Sequence, residues 1–226
     1  MDSVTVSTRL QLIATAERLF AEQGINAVSV RKIAAEAGQR NSNAVRYHFG
    51  SKQDLVDAIF EHRMAPLNAH RSRLIDTFDG LGRARDPYAL AEAFVLPLAA
   101  LLDGAVGSWY LRFCVQSAYT LHPDVATLTA DSWEVRPSTR GLKTLRERTI
   151  GLLSDLPPGV AVDRWGHFTG FLTHALADRE ARQYAGPAHV LGSTELFVAG
   201  LVDAAVAILT APCRETTLAL AAHQDR

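Results

Sequence analysis

Cysteines and long apolar stretches are both scarce in this sequence of 226 residues. The two cysteines, Cys114 and Cys213, are too few for a disulfide framework. The longest apolar run covers residues 93–102, contains Pro97, and is far shorter than the roughly 20 residues that a membrane-spanning helix needs. The start of the chain alternates polar and apolar side chains and contains no apolar signal segment. We therefore expect a soluble, cytoplasmic protein that has no membrane partner.

Sequence motifs of the common enzyme and metal-binding classes are also absent. The chain has no Gly-rich phosphate loop, no Gly-x-Ser-x-Gly elbow, no His-Glu-x-x-His helix and no cysteine pair with metal-ligand spacing. The eight histidines are dispersed, and His167 and His174 lie about two helical turns apart, too far for easy joint ligation of a metal. We expect no catalytic residue, no cofactor and no metal site; an enzyme or a metal sensor is the less favoured alternative.

Apolar residues recur with helical spacing along most of the chain, and no strand-like alternation, repeat or low-complexity segment occurs. The first helix is expected to start at a Ser7 cap and to end at Gly24. A long helix is expected from Lys52 to about Phe78, and Pro66 should kink or divide it. Further helices are expected at about residues 87–103, 106–121, 123–153 with an interruption near Pro137, 161–184 and 194–210, with loops at 80–86 and 156–159. The protein is therefore predicted to be all-α.

The stretch from Ser29 to Lys52 has the outline of a helix-turn-helix unit. Ser29 is placed to cap a short helix, and Gly38 occurs where the end of that helix needs a positive φ angle. A second short helix is expected from about Ser42 to Tyr47, with one apolar and one polar face. Two short helices joined in this way are typical of proteins that read DNA, although an ordinary helical hairpin has the same outline.

The segment 47–52, YHFGSK, favours the DNA-reading interpretation. With the Ala-Gly turn before it, this segment resembles the N-terminal domain of the TetR family of transcriptional regulators, and the resemblance covers about residues 8–60. It implies a three-helix helix-turn-helix DNA-binding domain at 1–52, joined to a larger helical ligand-binding and dimerisation domain at 53–226. The chain is one residue longer than is usual in that family between the turn glycine and the Phe of YHF. The extra residue implies either a longer turn or an earlier start of the second helix.

The charge distribution supports double-stranded DNA as a partner. The overall net charge of −1 gives no such indication. Residues 1–52, however, carry seven Lys or Arg against four Asp or Glu, so that this part has a charge of +3 and the remainder −4. A basic N-terminal part on an acidic body suits a phosphate-facing domain.

The candidate DNA-binding residues form two groups. Four side chains are expected to contact phosphates: Arg40, Tyr47, His48 and Lys52. Four are expected to contact base edges: Asn41, Ser42, Asn43 and Arg46. Asn suits the N6/N7 edge of adenine and Arg the O6/N7 edge of guanine, although Arg46 could instead contact a phosphate. Because so short a helix reads only a few base pairs, we expect a homodimer on a palindromic operator.

The remainder of the chain is less informative about function. The resemblance implies a small-molecule effector held by the body, and aromatic and polar side chains there could line its cavity. They could equally form an ordinary core. The candidate ligand-binding residues are Phe94, Trp109, Phe113, Gln116, Trp133, His167, Phe171 and His174.

The helices expected at 161–184 and 194–210 are the candidate dimer interface. Small residues at Gly200 and Ala204 permit close helix approach, and two copies would form a four-helix bundle about a twofold axis. The alternative is that both helices are buried within their own subunit. The function expected from these features is that of a repressor released from its operator by a small, hydrophobic ligand; a DNA-binding regulator without an effector is the alternative.

Overall fold

The computed structural model describes residues 3–103, 108–118, 139–189 and 192–224, and these are helical with no strand among them. The helices are α1 Ser3–Gln23, α2 Val30–Glu36, α3 Ala44–Phe49, α4 Lys52–Gly80, α5 Pro87–Ala99, α6 Tyr110–Ala118, α7 Arg140–Leu152, α8 Pro158–Ala185, α9 Thr194–Thr210 and α10 Glu215–Gln224. Short 3-10 turns occupy Ala100–Asp103 and Pro187–His189. The all-α prediction is confirmed.

Helices α1 to α3 form a small N-terminal unit, which we call the head. Its core consists of apolar side chains from α1, from the α1–α2 turn and from the inner faces of α2 and α3. Gly24 ends α1 with a φ of +81°, and the Ser29 side chain accepts the N–H of Lys32 at the start of α2, both as the sequence predicts. The predicted Ser7 cap is wrong, because α1 begins at Ser3 and Ser7 lies inside it.

The turn between α2 and α3 accommodates the extra residue. Gly38 has a φ of +69°, and α3 begins at Ala44 rather than near Ser42. The Asn41 side chain accepts the N–H of Asn43 at 2.9 Å, and the Asn41 carbonyl accepts the N–H of Ala44 at 3.0 Å. These bonds hold residues 41–43 as a turn, so the additional residue lengthens the turn and not the helix.

Helix α4 runs from the head into the body of the protein. The Ser51 side chain caps it by accepting the N–H of Asp54, and the helix continues unbroken through Pro66 to Gly80. The prediction that Pro66 divides the helix is therefore wrong, and its alternative, a kink at Pro66, stays a prediction. Pro66 is on the exposed side, where water can solvate the carbonyl that the missing N–H leaves without a partner.

The body, formed by the rest of α4 and by α5 to α10, has an aromatic centre. Phe94 of α5 contacts Trp165 and Phe168 of α8 with ring centroids 6.3 and 5.3 Å apart. Asp86 caps α5 by accepting the N–H of Tyr88. The α-helical part ends at Ala99, and a 3-10 turn completes the stretch predicted to reach residue 103.

Two further boundaries differ from the prediction. Helix α8 starts at Pro158, because proline at the first helical position sacrifices no intrahelical bond, so the predicted loop at 156–159 is shorter. Helix α10 was not anticipated. The predicted helices at 106–121 and 123–153 lie partly outside the described residues, which contain α6 and α7 of those stretches.

No individual described helix is long and apolar enough to cross a bilayer. Helices α9 and α10 have the length and composition of a membrane span only when they are taken together, and the pair is bent by 59°.

Candidate nucleic-acid interface

Helix α3 presents a polar surface because its apolar residues anchor it to the head. Ala44 and Val45 are buried, while Arg46 and Tyr47 on the same helix are exposed. The side chains at the turn before the helix are also exposed: Arg40, Asn41, Ser42 and Asn43. Six of the eight candidate DNA-binding residues therefore lie on one exposed surface, which is formed by the turn residues 40–43 and by Arg46 and Tyr47.

The other two candidates, His48 and Lys52, are half-buried at the junction of α3 and α4. His48 packs edge-to-face against Tyr47, with ring centroids 5.0 Å apart. Gly50 has a φ of +87°, which reverses the chain so that α4 starts beside the end of α3. This turn brings Lys52 next to the exposed surface of α3.

Two cations, one on α1 and one at the start of α4, lie over aromatic rings of the head. The Lys52 ammonium is 5.7 Å from the centroid of Phe20, and partial burial lowers the pKa of Lys52. The Arg9 guanidinium of α1 is 5.0 Å from the centroid of Phe49. Such contacts hold a cation in position, and they place Arg9 beside the same junction.

A partly buried ion pair connects the head to α4. Glu17 of α1 accepts bonds from Nε and Nη2 of Arg63, both at 2.7 Å. These bonds raise the pKa of Arg63, against the opposing effect of its partial burial. The pairing joins residues 46 positions apart, which the sequence pattern did not indicate.

Helix α6 connects the head to the far side of the body. Its Phe113 lies 6.2 Å from Phe20 of the head and 5.0 Å from Phe60 of α4, measured between ring centroids. At its start, Glu180 of α8 accepts the backbone N–H groups of Leu111 and Arg112 at 3.3 and 3.1 Å. Burial raises the pKa of Glu180, and the bonds from Arg112 oppose that rise. A displacement of α8 would therefore act on α6, and through it on α1.

The structure does not bring the candidate ligand-binding residues together. Phe94 and Phe113 are buried in separate aromatic contacts, and Trp109 packs edge-to-face against Tyr184 with ring centroids 4.3 Å apart. Gln116 is exposed on α6. Three candidates are exposed along one side of α8: His167, Phe171 and His174. Trp133 lies outside the described residues. The binding of an effector by these residues stays a prediction.

An open groove of about 530 Å³ lies between α5 and α9. Its floor is apolar, with Leu96, Val198 and Val202, and its edges carry carboxylates. Its walls include none of the candidate ligand-binding residues. The carboxylates are Glu92, Asp103, Glu195 and Asp203.

Comparison with known proteins agrees with the geometry of the head. Residues 12–59 match the model of the family described as bacterial regulatory proteins, tetR family. The HTH-type transcriptional dual regulator CecR of Shigella flexneri is 58% identical over 45 residues, which are 20% of this chain and 19% of that protein. The HTH-type transcriptional repressor Rv3405c of Mycobacterium tuberculosis is 37% identical over 106 residues, 45% of this chain and 51% of that one.

These matches therefore span about half or less of the curated relatives. Among solved structures, the crystal structure of Mycobacterium smegmatis AmtR aligns with a TM-score of 0.51 at 18% identity, covering 96% of this chain and 93% of that one. At that identity the alignment shows a shared helical fold.

Proposed function

We propose that this chain is a transcriptional repressor of the tetR family of bacterial regulatory proteins, whose model its residues 12–59 match. It binds a palindromic operator as a twofold dimer, and a small effector releases it from that operator. The observation that carries the proposal is the exposed polar face of α3 with the preceding turn, set on a head that matches the family model. The domain boundary at residue 52 is part of this proposal; the first turns of α4 lie beyond it, and their Leu55, Val56 and Ile59 pack in the core that includes the head. The family is one of transcriptional regulators and not an enzyme class.

The exposed face of α3 suits the major groove. We expect the start and middle of the helix to contact bases and its end to contact phosphates. Arg46 is exposed in the middle of the helix, and the adjoining turn holds Asn43 and Ser42 at its start, where side chains can reach base edges. Tyr47 and Lys52 lie near the end of the helix, where a phosphate backbone would pass. The Asn41 side-chain oxygen already accepts the N–H of Asn43, so Asn41 would present its amide NH₂ group to DNA.

The exposed sides of α8 and α9 support the proposed dimer. Phe171 of α8 and Leu196 of α9 are 45% and 69% exposed, which is unusual for side chains of this size. Gly200 is also exposed, and no described atom lies within 4 Å of a Cβ placed there. A second copy could therefore approach α9 closely and cover Phe171, as in a four-helix bundle.

The proposed release mechanism is a shift between two arrangements of the heads. An effector that binds one arrangement of the body better than the other changes operator affinity by the ratio of those affinities. Two routes from body to head are available: α4, which continues into the head, and α6, which contacts Phe20. The expectation of a hydrophobic effector belongs to this proposal.

Titration of duplex DNA at several salt concentrations tests the proposed function. The operator would first be selected from a random pool. Lys52→Ala should weaken binding to all sequences and lower the salt slope by about one unit, whereas Arg46→Ala should reduce the ratio of operator to random-DNA affinity by about tenfold or more. Arg85→Ala, an exposed arginine of the body, is the matched control and should change neither quantity. Absence of salt-dependent duplex binding by the wild-type protein would refute the proposal.

A further inference from the structure

Arg71, in the second half of α4, carries a positive charge into the interior of the body. The residue is only 1% exposed. Its Nε donates to the carbonyl of Ala93 at 3.1 Å, and its Nη1 donates to the side-chain oxygen of Asn68. Both acceptors are neutral. No carboxylate within the described parts of the chain pairs with Arg71.

The lack of a counter-charge sets Arg71 apart from two other arginines of the same interior. Arg63 is paired with Glu17, and Arg112 with Glu180. Burying an ionised group without an opposite charge is unfavourable by several kcal/mol, and neutral acceptors recover only part of that energy. Burial lowers the pKa of Arg71 to about 10. The guanidinium therefore remains protonated at neutral pH. A bound anion would supply the counter-charge that the described residues do not.

The surroundings of Arg71 are aromatic. Its guanidinium carbon is 5.8 Å from the ring centroid of Phe94. Tyr110 of α6 is fully buried and interacts electrostatically with Arg71. Tyr110 lies 6.3 Å from Phe60 and 6.0 Å from Phe113, between ring centroids. A cation and a hydroxyl set among aromatic rings are the combination that binds an apolar molecule with one anionic end.

We propose that the effector of this regulator is an organic carboxylate whose charged end pairs with Arg71 and whose apolar part packs among the surrounding aromatic side chains. The inference rests on the proposed function, because it names the class of ligand that controls it. A guanidinium has five N–H donors, of which the two neutral acceptors engage two, so a carboxylate can still form a charge-assisted pair. Since Arg71 and the first turn beyond α3 belong to the same helix, such a ligand would act directly on the helix that carries the head.

Thermal unfolding with matched carboxylate and amide probes tests the inference. The probes are benzoate, octanoate and dodecanoate, each beside its neutral amide, at pH 7.5. At least one carboxylate should raise the Tm of the wild-type protein by about 3 °C or more, while its amide raises it by less than 1 °C. Absence of a shift with every carboxylate, or equal shifts with a carboxylate and its amide, would overturn the inference.

Substitution of Arg71 separates ligand binding from a purely structural role. Arg71→Met keeps the length of the side chain and removes its charge, so the carboxylate shift should disappear while the Tm without ligand stays the same or rises. A structural role alone predicts a lower Tm for this variant. Arg71→Lys retains the charge and should keep a weaker carboxylate preference, which preserves the test if the Met variant does not fold. Arg148→Met, at a surface arginine paired with Asp79, is the control and should keep the full shift.

The DNA titration distinguishes failure of this inference from failure of the proposed function. A protein that binds duplex DNA but shows no carboxylate preference would remain a regulator and lose only the proposed ligand class. A protein with an Arg71-dependent carboxylate shift and no duplex binding would retain the ligand site and lose the regulatory role. Persistence of the carboxylate shift in Arg71→Met overturns the assignment to Arg71 in either case.

Discussion

The two members of the Glu17–Arg63 pair are unequally buried. Glu17 is 1% exposed, whereas the Arg63 side chain retains 31% of its exposure. If the pair is broken, water can solvate the guanidinium but not the carboxylate. The two single substitutions should therefore differ in their effect on the free energy of unfolding, although they remove the same two hydrogen bonds.

We expect Arg63→Met to lower the free energy of unfolding by about 3 kcal/mol, because it leaves an unpaired carboxylate in the interior. Glu17→Met should lower it by about 1 kcal/mol or less, since the remaining arginine can be hydrated and the new side chain is apolar. Urea denaturation of both variants measures the difference. Equal losses would mean that Glu17 becomes solvated when its partner is removed.

Single residues with a local task could be predicted from the sequence, and residues with a distant partner could not. The cap at Ser29 was identified because the cap and the N–H that it accepts lie three positions apart. The Glu17–Arg63 pair depends on how α1 meets α4, which no local pattern encodes. The burial of Arg71, which has no carboxylate partner among the described residues, likewise could not be predicted from the sequence.

At the level of helices, α4 and α7 cross in close contact at Gly141. A Cβ atom at this position would lie 3.0 Å from the carbonyl oxygen of Asn68 and 3.1 Å from the side-chain oxygen of Ser72. The backbone of α4 would have to shift to admit it. Gly151, near the end of α7, has no such neighbour within 4 Å. The two glycines of one helix therefore differ in the space available to a methyl group.

Gly141→Ala should lower the free energy of unfolding by about 1–3 kcal/mol, because the added methyl group forces α4 and α7 apart. Gly151→Ala is the matched control and should raise it by a few tenths to about 1 kcal/mol through the higher helix propensity of alanine. Thermal or urea unfolding of the two variants gives the comparison. A neutral Gly141→Ala would show that the crossing can relax without loss.

The apolar periodicity of the sequence predicted that the elements are helices and predicted most of their positions. It did not predict where several of the helices begin or end. The start of α3 was predicted two residues too early, because the Asn41 side chain competes with the helix for the N–H of Asn43. Helix α10 was missed because residues 215–220 are exposed and have no apolar face packed on the body. Helices that pack against a neighbouring helix show apolar periodicity in the sequence, whereas helices that face solvent show little of it.

For the whole molecule, the exposed apolar side chains of α8 and α9 lead to a prediction about assembly. Phe171→Asp should weaken the proposed dimer by at least about tenfold, because it places a charge where the second copy would cover an aromatic ring. Operator affinity should fall with it. Leu81→Asp is the control, since Leu81 is similarly exposed but follows α4 and lies outside both helices. Sedimentation equilibrium measures the dimerisation constant, and an unchanged constant for Phe171→Asp would exclude α8 as the interface.

Because α4 packs in both the head and the body, the head of this chain cannot be exchanged as an independent unit at residue 52. Leu55, Val56 and Ile59 of this helix are buried in the core that includes α1 to α3, and the same helix ends in the body at Gly80. If residues 1–51 were replaced by the head of a different protein, the core of that head would have to pack against Leu55, Val56 and Ile59 of this chain. Under the proposed function, substitutions on the exposed side of α3 would change the operator preference and leave α4, which packs against both the head and the body, unchanged.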